Sequence, residues 1–263
     1  MNHLHIFSQV IVTFINQVGE VSLLFYKTVI NLFKKPWEKG VFIDQLEEIG
    51  VRSLPVVTVT SAFTGLVFAL WGYIGFHRYI GPGSEAYAGP VIALGLVKEL
   101  IPVLVGLMVA GRVGAAMAAE LGSMKVTEQI DALYTLGASP VKYLVVPRTL
   151  AGFIMLPLLT VYGDAIGLIS GYIYMVYIMK INKFVYYNIT LQYMETWDVI
   201  TGLIKASSFG VIIAIIGCYQ GLKTEGGAEG VGRATTNAVV IASILILITN
   251  FFWSKFLPTT LIK

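Results

Sequence analysis

Lys98 and Glu99 are adjacent ionisable residues within an otherwise apolar segment, residues 88–111. A charge at the centre of a bilayer costs about 2.5–3.5 kcal/mol on insertion scales, so such residues pair with other charges or line a polar path. Neighbouring side chains on a helix point about 100° apart, and each therefore needs its own partner. Asp164 and Lys205 lie in other apolar segments and are the candidate partners. These residues could bind a polar group inside a membrane or form a structural network of ion pairs.

The overall composition is that of a membrane protein. Of the 263 residues, 56% are hydrophobic and 13% are charged, whereas soluble domains carry about 25% charged residues. The mean hydropathy is +0.78. The net charge of +3 is spread along the chain, which argues against a nucleic-acid-binding surface.

Five apolar segments are each long enough to cross a bilayer, which takes about 20 helical residues. They cover residues 55–75, 88–111, 150–179, 199–221 and 236–257. We therefore predict an all-α integral membrane protein with five transmembrane helices. Pro157 lies within the third segment and predicts a tilt or a break there.

Two helices are predicted ahead of the spans. Residues 1–33 place apolar residues on one side at helical spacing, with polar interruptions, which is typical of an amphipathic helix in the membrane interface. Residues 41–53 predict a second, short amphipathic helix. We accordingly divide the chain into an N-terminal interfacial helix, residues 1–40, and a transmembrane domain, residues 41–263.

The distribution of Lys and Arg predicts the orientation, because cytoplasmic loops carry an excess of both. With a cytoplasmic N-terminus, eleven of these residues lie on the inner side and five on the outer side, while Lys98 and Lys205 lie within spans. The segment between the second and third spans is then cytoplasmic.

That segment predicts a helix over residues 120–136 that docks on a soluble partner. It carries an apolar stripe beside acidic residues, which suits a partner's groove, whereas an ordinary surface loop needs no such stripe. The candidate contact residues are Glu120, Leu121, Met124, Glu128, Asp131 and Leu133. Small residues recur at every fourth position from Gly106 to Gly122 and again from Gly163 to Gly171. They permit close helix packing, either within one chain or between two.

We expect no cofactor or metal in this chain. Cys218 is the only cysteine, and His3 and His5 are a lone pair at the terminus. The Gly-rich segment 221–232 lacks the Gly-Lys-Ser/Thr ending of a P-loop. Any ATP and Mg²⁺ are therefore expected on a partner subunit, and we do not expect this chain to be an enzyme.

Three motifs resemble one known family. KELIPVLVGLMVAGRVGAAMAAELGSMKVTEQIDAL begins at Lys98, PRTLAGFIMLPLLT begins at Pro147, and GVGRATTNAVV begins at Gly230. They resemble the MlaE/YrbE family, the permease subunits of ABC transporters that move phospholipids between the inner and outer membranes of bacteria and maintain lipid asymmetry. The resemblance covers most of residues 40–255.

The resemblance implies a homodimer in the bacterial inner membrane and an ABC ATPase dimer that docks on residues 120–136. It also implies an MCE-domain lipid-binding protein on the outer side and, in some systems, a STAS-domain protein. The family's charged residues within the spans correspond to Lys98, Glu99 and Lys205. Some relatives carry an aspartate where this chain has Asn250.

On this basis we predict a phospholipid path enclosed by two chains, with Lys98, Glu99 and Lys205 near the head group. The apolar part of the path is assigned to four aromatic residues at the outer end of the first span, Phe68, Trp71, Phe76 and Tyr79. One alternative is a secondary transporter or channel that uses Lys98, Glu99 and Asp164. Another is a membrane scaffold without transport. The first alternative leaves the docking stripe unexplained, and co-purification with an ATPase would distinguish the permease from both alternatives.

Overall fold

The computed structural model describes residues 2–32 and 39–259, without the side chains of residues 2–11, 13, 14, 39, 258 and 259. All regular elements in these residues are helices. The side chains of His3 and His5 are not among those described, so the expectation that this pair holds no metal remains a prediction. The N-terminal helix α1 covers Asn2–Leu32, and α2 covers Lys39–Ile49.

Five helical runs are long and apolar enough to cross a membrane, which confirms the predicted number of spans. The first span is mainly α3 (Leu54–Tyr79), and the second joins α4 (Ala88–Gly95), α5 (Ile101–Val109) and α6 (Ala115–Val126). The third span is mainly α8 (Val146–Ile173), the fourth is α10 (Thr196–Leu222), and the fifth is α11 (Gly227–Thr259).

Two short helices distinguish the ends of the bundle. Helix α7 (Gln129–Thr135) lies between the second and third spans, and α9 (Lys183–Tyr193) lies between the third and fourth. We call these the α7 end and the α9 end. Helix α9 was not predicted from the sequence, because it is only 11 residues long and polar residues interrupt its apolar positions.

The predicted helix over residues 120–136 is wrong as a single element. Helix α6 extends the second span to Val126, and α7 begins only at Gln129. Glu128 between them has a φ of 60°, a left-handed conformation that stops a helix of L-residues. The segment therefore consists of two helices joined by a turn at the α7 end.

Of the tilt or break predicted for the third span, the break is wrong, because α8 continues through Pro157 from Val146 to Ile173. Both halves of α8 pack against other spans, which hold a proline-containing helix together. Gly152 of α8 meets Gly210 of α10, where an added Cβ on Gly210 would lie 2.2 Å from the Gly152 carbonyl oxygen. Only glycine allows such a close approach of two backbones.

The small-residue stripes serve packing within the chain. Gly106 faces Phe209 and Ile246, and Gly122 faces Thr224. Gly167 lies beside Ser61 and Ile101. These contacts connect the second and third spans to their neighbours in the same chain, so the stripes no longer argue for contact between two chains.

Polar contacts fix the first two helices to the bundle at the α7 end. Arg112 donates to Ser53 Oγ at 3.2 Å and pairs with Glu48 at 3.2 Å, which secures the segment after α2. Glu20 of α1 accepts hydrogen bonds from the Tyr219 hydroxyl at 2.6 Å and from Lys223 Nζ. Helix α1 is therefore attached to the last turn of α10.

Candidate charged site within the spans

Lys205 is the centre of a polar network between the second, fourth and fifth spans. Its side chain is fully buried, and its ammonium lies 2.7 Å from Glu99 Oε1 and 2.8 Å from Ser254 Oγ. It also donates to the backbone carbonyl of Lys98 at 2.9 Å. A lysine ammonium has three donors, so the network uses all of them.

Pro102 explains why the Lys98 carbonyl is available to this ammonium. In an α-helix the carbonyl of residue 98 would accept from the backbone N–H of residue 102, but proline has none. The helix forms a π segment over Leu96–Leu100, in which the Ile101 N–H donates to the Leu96 carbonyl. Such π segments are frequent at functional sites. Pro102 thus leaves an acceptor that the Lys205 side chain satisfies.

Lys98 pairs with a residue that was not predicted from the sequence. Its ammonium lies 2.8 Å from Asp198 Oδ1, near the start of α10. The other oxygen of Asp198 accepts from the Glu195 backbone N–H at 2.9 Å, and both residues form a capping box. The capping pattern Glu-x-x-Asp was readable, but it predicts a helix start rather than a partner for Lys98.

Glu99 is the member of the network with the most exposed side chain. Its side chain is 43% exposed, while its carboxylate accepts from Ser254 Oγ at 2.9 Å and from Asn250 Nδ2 at 3.2 Å. Asn250 therefore supplies a donor where an aspartate would place a second carboxylate. Lys98, Lys205, Glu99 and Asp198 together carry two positive and two negative formal charges, so the network is neutral.

Asp164 does not join this network, and its assignment as a partner of Lys98 or Glu99 is wrong. It is buried in α8, and neither carboxyl oxygen has a hydrogen-bond partner among the described residues. The proposed ion path through Lys98, Glu99 and Asp164 is therefore not continuous here. The assignment of Lys205 as a partner of Glu99 agrees with the structure.

The four aromatic residues of the first span have different surroundings. Phe68 fills the space left by Gly95, and Phe76 packs against the core. Trp71 and Tyr79 are largely exposed. Only the latter pair remains available to line a path outside this chain's own core.

An apolar groove of about 500 Å³ lies between α1, α10 and α11. Its lining includes Val21, Phe25, Ile212 and Leu245, together with Ser208. Ser208 donates to the Lys205 backbone carbonyl at 2.7 Å, so the groove begins on the turn of α10 that follows Lys205. An apolar surface beside a charged network suits a molecule with both apolar and polar parts.

The candidate docking residues at the α7 end also divide into two groups. Leu121 is fully buried, and Met124 and Leu133 are partly buried in a cluster with Ile130 and Leu144. Their apolar character therefore serves this chain's own core, and the stripe is not a free docking face.

The acidic residues among the candidate docking residues, Glu120, Glu128 and Asp131, are exposed. Glu120 pairs with the buried Arg148 at 2.8 Å, and Lys125 pairs with Asp131 at 2.9 Å, whereas Glu128 stands at the turn. Tyr134 and Leu136 are the large apolar side chains that α7 and its end expose, and Leu136 is 80% exposed. The sequence pattern could not separate these exposed residues from the buried ones.

The described residues contain no group of three His, Cys, Asp or Glu side chains that could hold a metal ion. Cys218 is buried. His77 lies 2.6 Å from Glu85 at the α9 end.

Known proteins resemble this chain over most of its length. The family model described as Permease MlaE matches residues 42–256. A Rickettsia conorii protein named "Probable ABC transporter permease protein" is 51% identical over 240 residues, which are 91% of this chain and 92% of the relative. A Synechocystis protein of the same description is 44% identical over 81% of this chain and 80% of its own length. "Protein TRIGALACTOSYLDIACYLGLYCEROL 1, chloroplastic" of Arabidopsis thaliana is 39% identical over 81% of this chain and 60% of that protein.

Proposed function

The chain belongs to the MlaE permease family of ABC transporter subunits, and on that premise we propose that it moves phospholipids between the inner and outer membranes of a bacterium. The observation that carries the proposal is the apolar groove that begins on α10 one turn after Lys205. A phospholipid has the matching division into acyl chains and a charged head group. The Arabidopsis relative is named after a galactolipid, which supports a lipid substrate.

Glu99 and Lys98 are the residues proposed to face the lipid path. A half-exposed carboxylate within a span needs water or protein beside it rather than acyl chains. A second copy of the chain would supply that cover and enclose the path, with Trp71 and Tyr79 at its α9 end. Lys205 has its three donors engaged, so its proposed role is to hold Glu99 rather than to bind phosphate in this conformation.

The proposed partners occupy opposite ends of the bundle. An ABC ATPase dimer, with its ATP and Mg²⁺, docks at the α7 end on the cytoplasmic side, beside the cytoplasmic N-terminus. It contacts the exposed residues Glu128, Asp131, Tyr134 and Leu136. An MCE-domain lipid-binding protein covers the α9 end, and a STAS-domain protein accompanies the ATPase in systems that have one. The chain itself is a non-catalytic subunit, and the complex maintains the lipid asymmetry of the outer membrane.

Native mass spectrometry of the purified complex tests the lipid proposal. We expect phospholipid to remain bound to the parent protein and to be lost from Ile212→Trp, because the indole would fill the groove. Ile244→Trp is the matched control, since Ile244 is an exposed residue of the fifth span. Absence of phospholipid from the parent complex, or equal occupancy in both variants, would contradict the groove as its site.

A further inference from the structure

Helix α9 must lie close to the membrane boundary, because its connections are short. Four residues, 179–182, join it to the third span, and two residues, 194 and 195, join it to the fourth. An extended chain covers at most about 3.6 Å per residue, so these links reach about 14 Å and about 7 Å. The helix therefore cannot extend far into the aqueous phase.

One face of α9 is fixed to the bundle. Tyr186 is buried, and its ring centroid lies 6.0 Å from that of Tyr172. A Cβ added to Gly89 would lie 2.3 Å from Thr190 Oγ1 and 3.0 Å from Tyr186. The absence of a side chain at Gly89 thus lets α9 rest directly on α4. Asn182 caps the helix, accepting a hydrogen bond from the Phe184 backbone N–H at 3.0 Å.

The opposite side of α9 carries two parallel stripes. Phe184, Tyr187 and Leu191 are exposed and lie at positions i, i+3 and i+7, so they form one apolar stripe. Asn188 and Gln192 are exposed at positions i and i+4 and form a polar stripe beside it. A helix at a bilayer surface needs these two faces, one toward acyl chains and one toward water.

The apolar stripe continues onto the membrane-facing surface of the third span. A crevice of about 250 Å³ lies beneath α9, and its lining includes Tyr187, Leu191 and the exposed Ile169 of α8. Lys180 and Lys183 at the start of α9 are exposed. Cations and aromatic side chains at this depth match the phosphate and glycerol region of a phospholipid bilayer.

We propose that α9 is an interfacial helix whose apolar stripe, Phe184, Tyr187 and Leu191, binds the phospholipid surface at the α9 end. The crevice beneath the stripe accommodates part of an acyl chain. This lipid contact is separate from the Lys205 network and does not depend on transport. It anchors the connection between the third and fourth spans, and thereby the start of α10 where Asp198 holds Lys98.

Site-directed spin labelling of the full chain in phosphatidylethanolamine–phosphatidylglycerol vesicles tests the proposal. Cys218 is replaced by alanine, and single cysteines are placed at Tyr187, Asn188, Leu191 and Gln192. Accessibility is measured to oxygen, which concentrates in the bilayer, and to a water-soluble nickel complex. Labels at Ile169 and Asp131 are the lipid and water references.

We expect the oxygen-to-nickel ratio at Tyr187 and Leu191 to be several-fold higher than at Asn188 and Gln192 and close to that at Ile169. Ratios at all four positions equal to that at Asp131 would place α9 in water and overturn the proposal. Low accessibility to both reagents at Tyr187 and Leu191 would also overturn it, because the stripe would then be covered by protein. Neither outcome would affect phospholipid binding in the groove, so the two proposals are tested separately.

Discussion

The ammonium of Lys205 donates a hydrogen bond to the backbone carbonyl of Lys98, 2.9 Å away in a different span. This contact exists because Pro102 cannot supply the backbone donor that the carbonyl would meet in a regular helix. The same ammonium pairs with Glu99. One lysine of the fourth span therefore supplies the hydrogen-bond donor that the Lys98 carbonyl lacks. It also supplies the positive charge that pairs with Glu99.

Lys205→Met should destabilise the permease strongly. The substitution preserves an unbranched side chain but leaves Glu99 without its cation and the Lys98 carbonyl without a donor. Removing one partner of a fully buried ion pair costs about 3–5 kcal/mol, and the partial exposure of Glu99 places the expected loss at the lower end of that range. The free energy of unfolding in mixed micelles measures the effect, with Lys183→Met at an exposed position as the control. Equal losses in the two variants would contradict the central position of Lys205.

Pro102→Ala should partly rescue Lys205→Met. Alanine restores a backbone N–H that can donate to the Lys98 carbonyl. That carbonyl lacks a donor only when Lys205 is replaced by methionine. A double-mutant cycle should therefore give a favourable coupling of about 1–3 kcal/mol, the cost of an unsatisfied buried polar group. Pro157→Ala, in another span, should show no coupling to Lys205→Met. A coupling near zero for Pro102 would refute its proposed role.

Glu128→Lys and Leu136→Glu should release the ATPase while the permease remains folded in the membrane. Both residues are exposed, so neither change disturbs the core. Leu121→Ala should behave differently and lower the free energy of unfolding by about 2–5 kcal/mol, because Leu121 is fully buried. Co-purification and unfolding measurements separate the two effects. Undiminished ATPase binding by both surface variants would show that the partner docks elsewhere.

The attachment of α1 to α10 should weaken in acid. Hydrogen bonds from Lys223 and Tyr219 lower the pKa of the Glu20 carboxyl below its ordinary value of 4.5. Because the pKa is lowered in the folded state, the stabilisation is present above the ordinary value and is lost as the pH falls through the folded value. The difference in melting temperature between the parent protein and Glu20→Gln should therefore shrink below pH 4.5. Glu225→Gln is the control, and a difference that stays constant with pH would contradict this contact.

Much of the fold was predictable because long apolar segments and bilayer thickness together define spanning helices. The pairing of Lys205 with Glu99 was predictable in kind, since charges within spans seek partners. Asp198 was missed because its position at the edge of a span made it resemble an ordinary helix cap.

The docking stripe was misread for a different reason. Leu121 and Leu133 were interpreted as one exposed apolar face, but Leu121 is buried in α6, and Leu133, beyond the turn at Glu128, packs against the same core cluster. Helical periodicity identifies the apolar side of a helix, but it does not identify what covers that side. The exposed Leu136 could be distinguished only from the three-dimensional structure.

Phospholipid transfer per folded complex, measured for Glu99→Gln between donor and acceptor vesicles, tests the central claim most directly. The amide keeps the size of the side chain and can still accept from Ser254 but loses the charge beside Lys205. Glu229→Gln, at an exposed position of α11, is the control. We expect transfer by Glu99→Gln to fall at least about tenfold while the ATPase stays bound, which corresponds to about 1.4 kcal/mol. Normal transfer per folded complex would contradict the account, because Glu99 would then belong to the packing of the bundle and not to the lipid path.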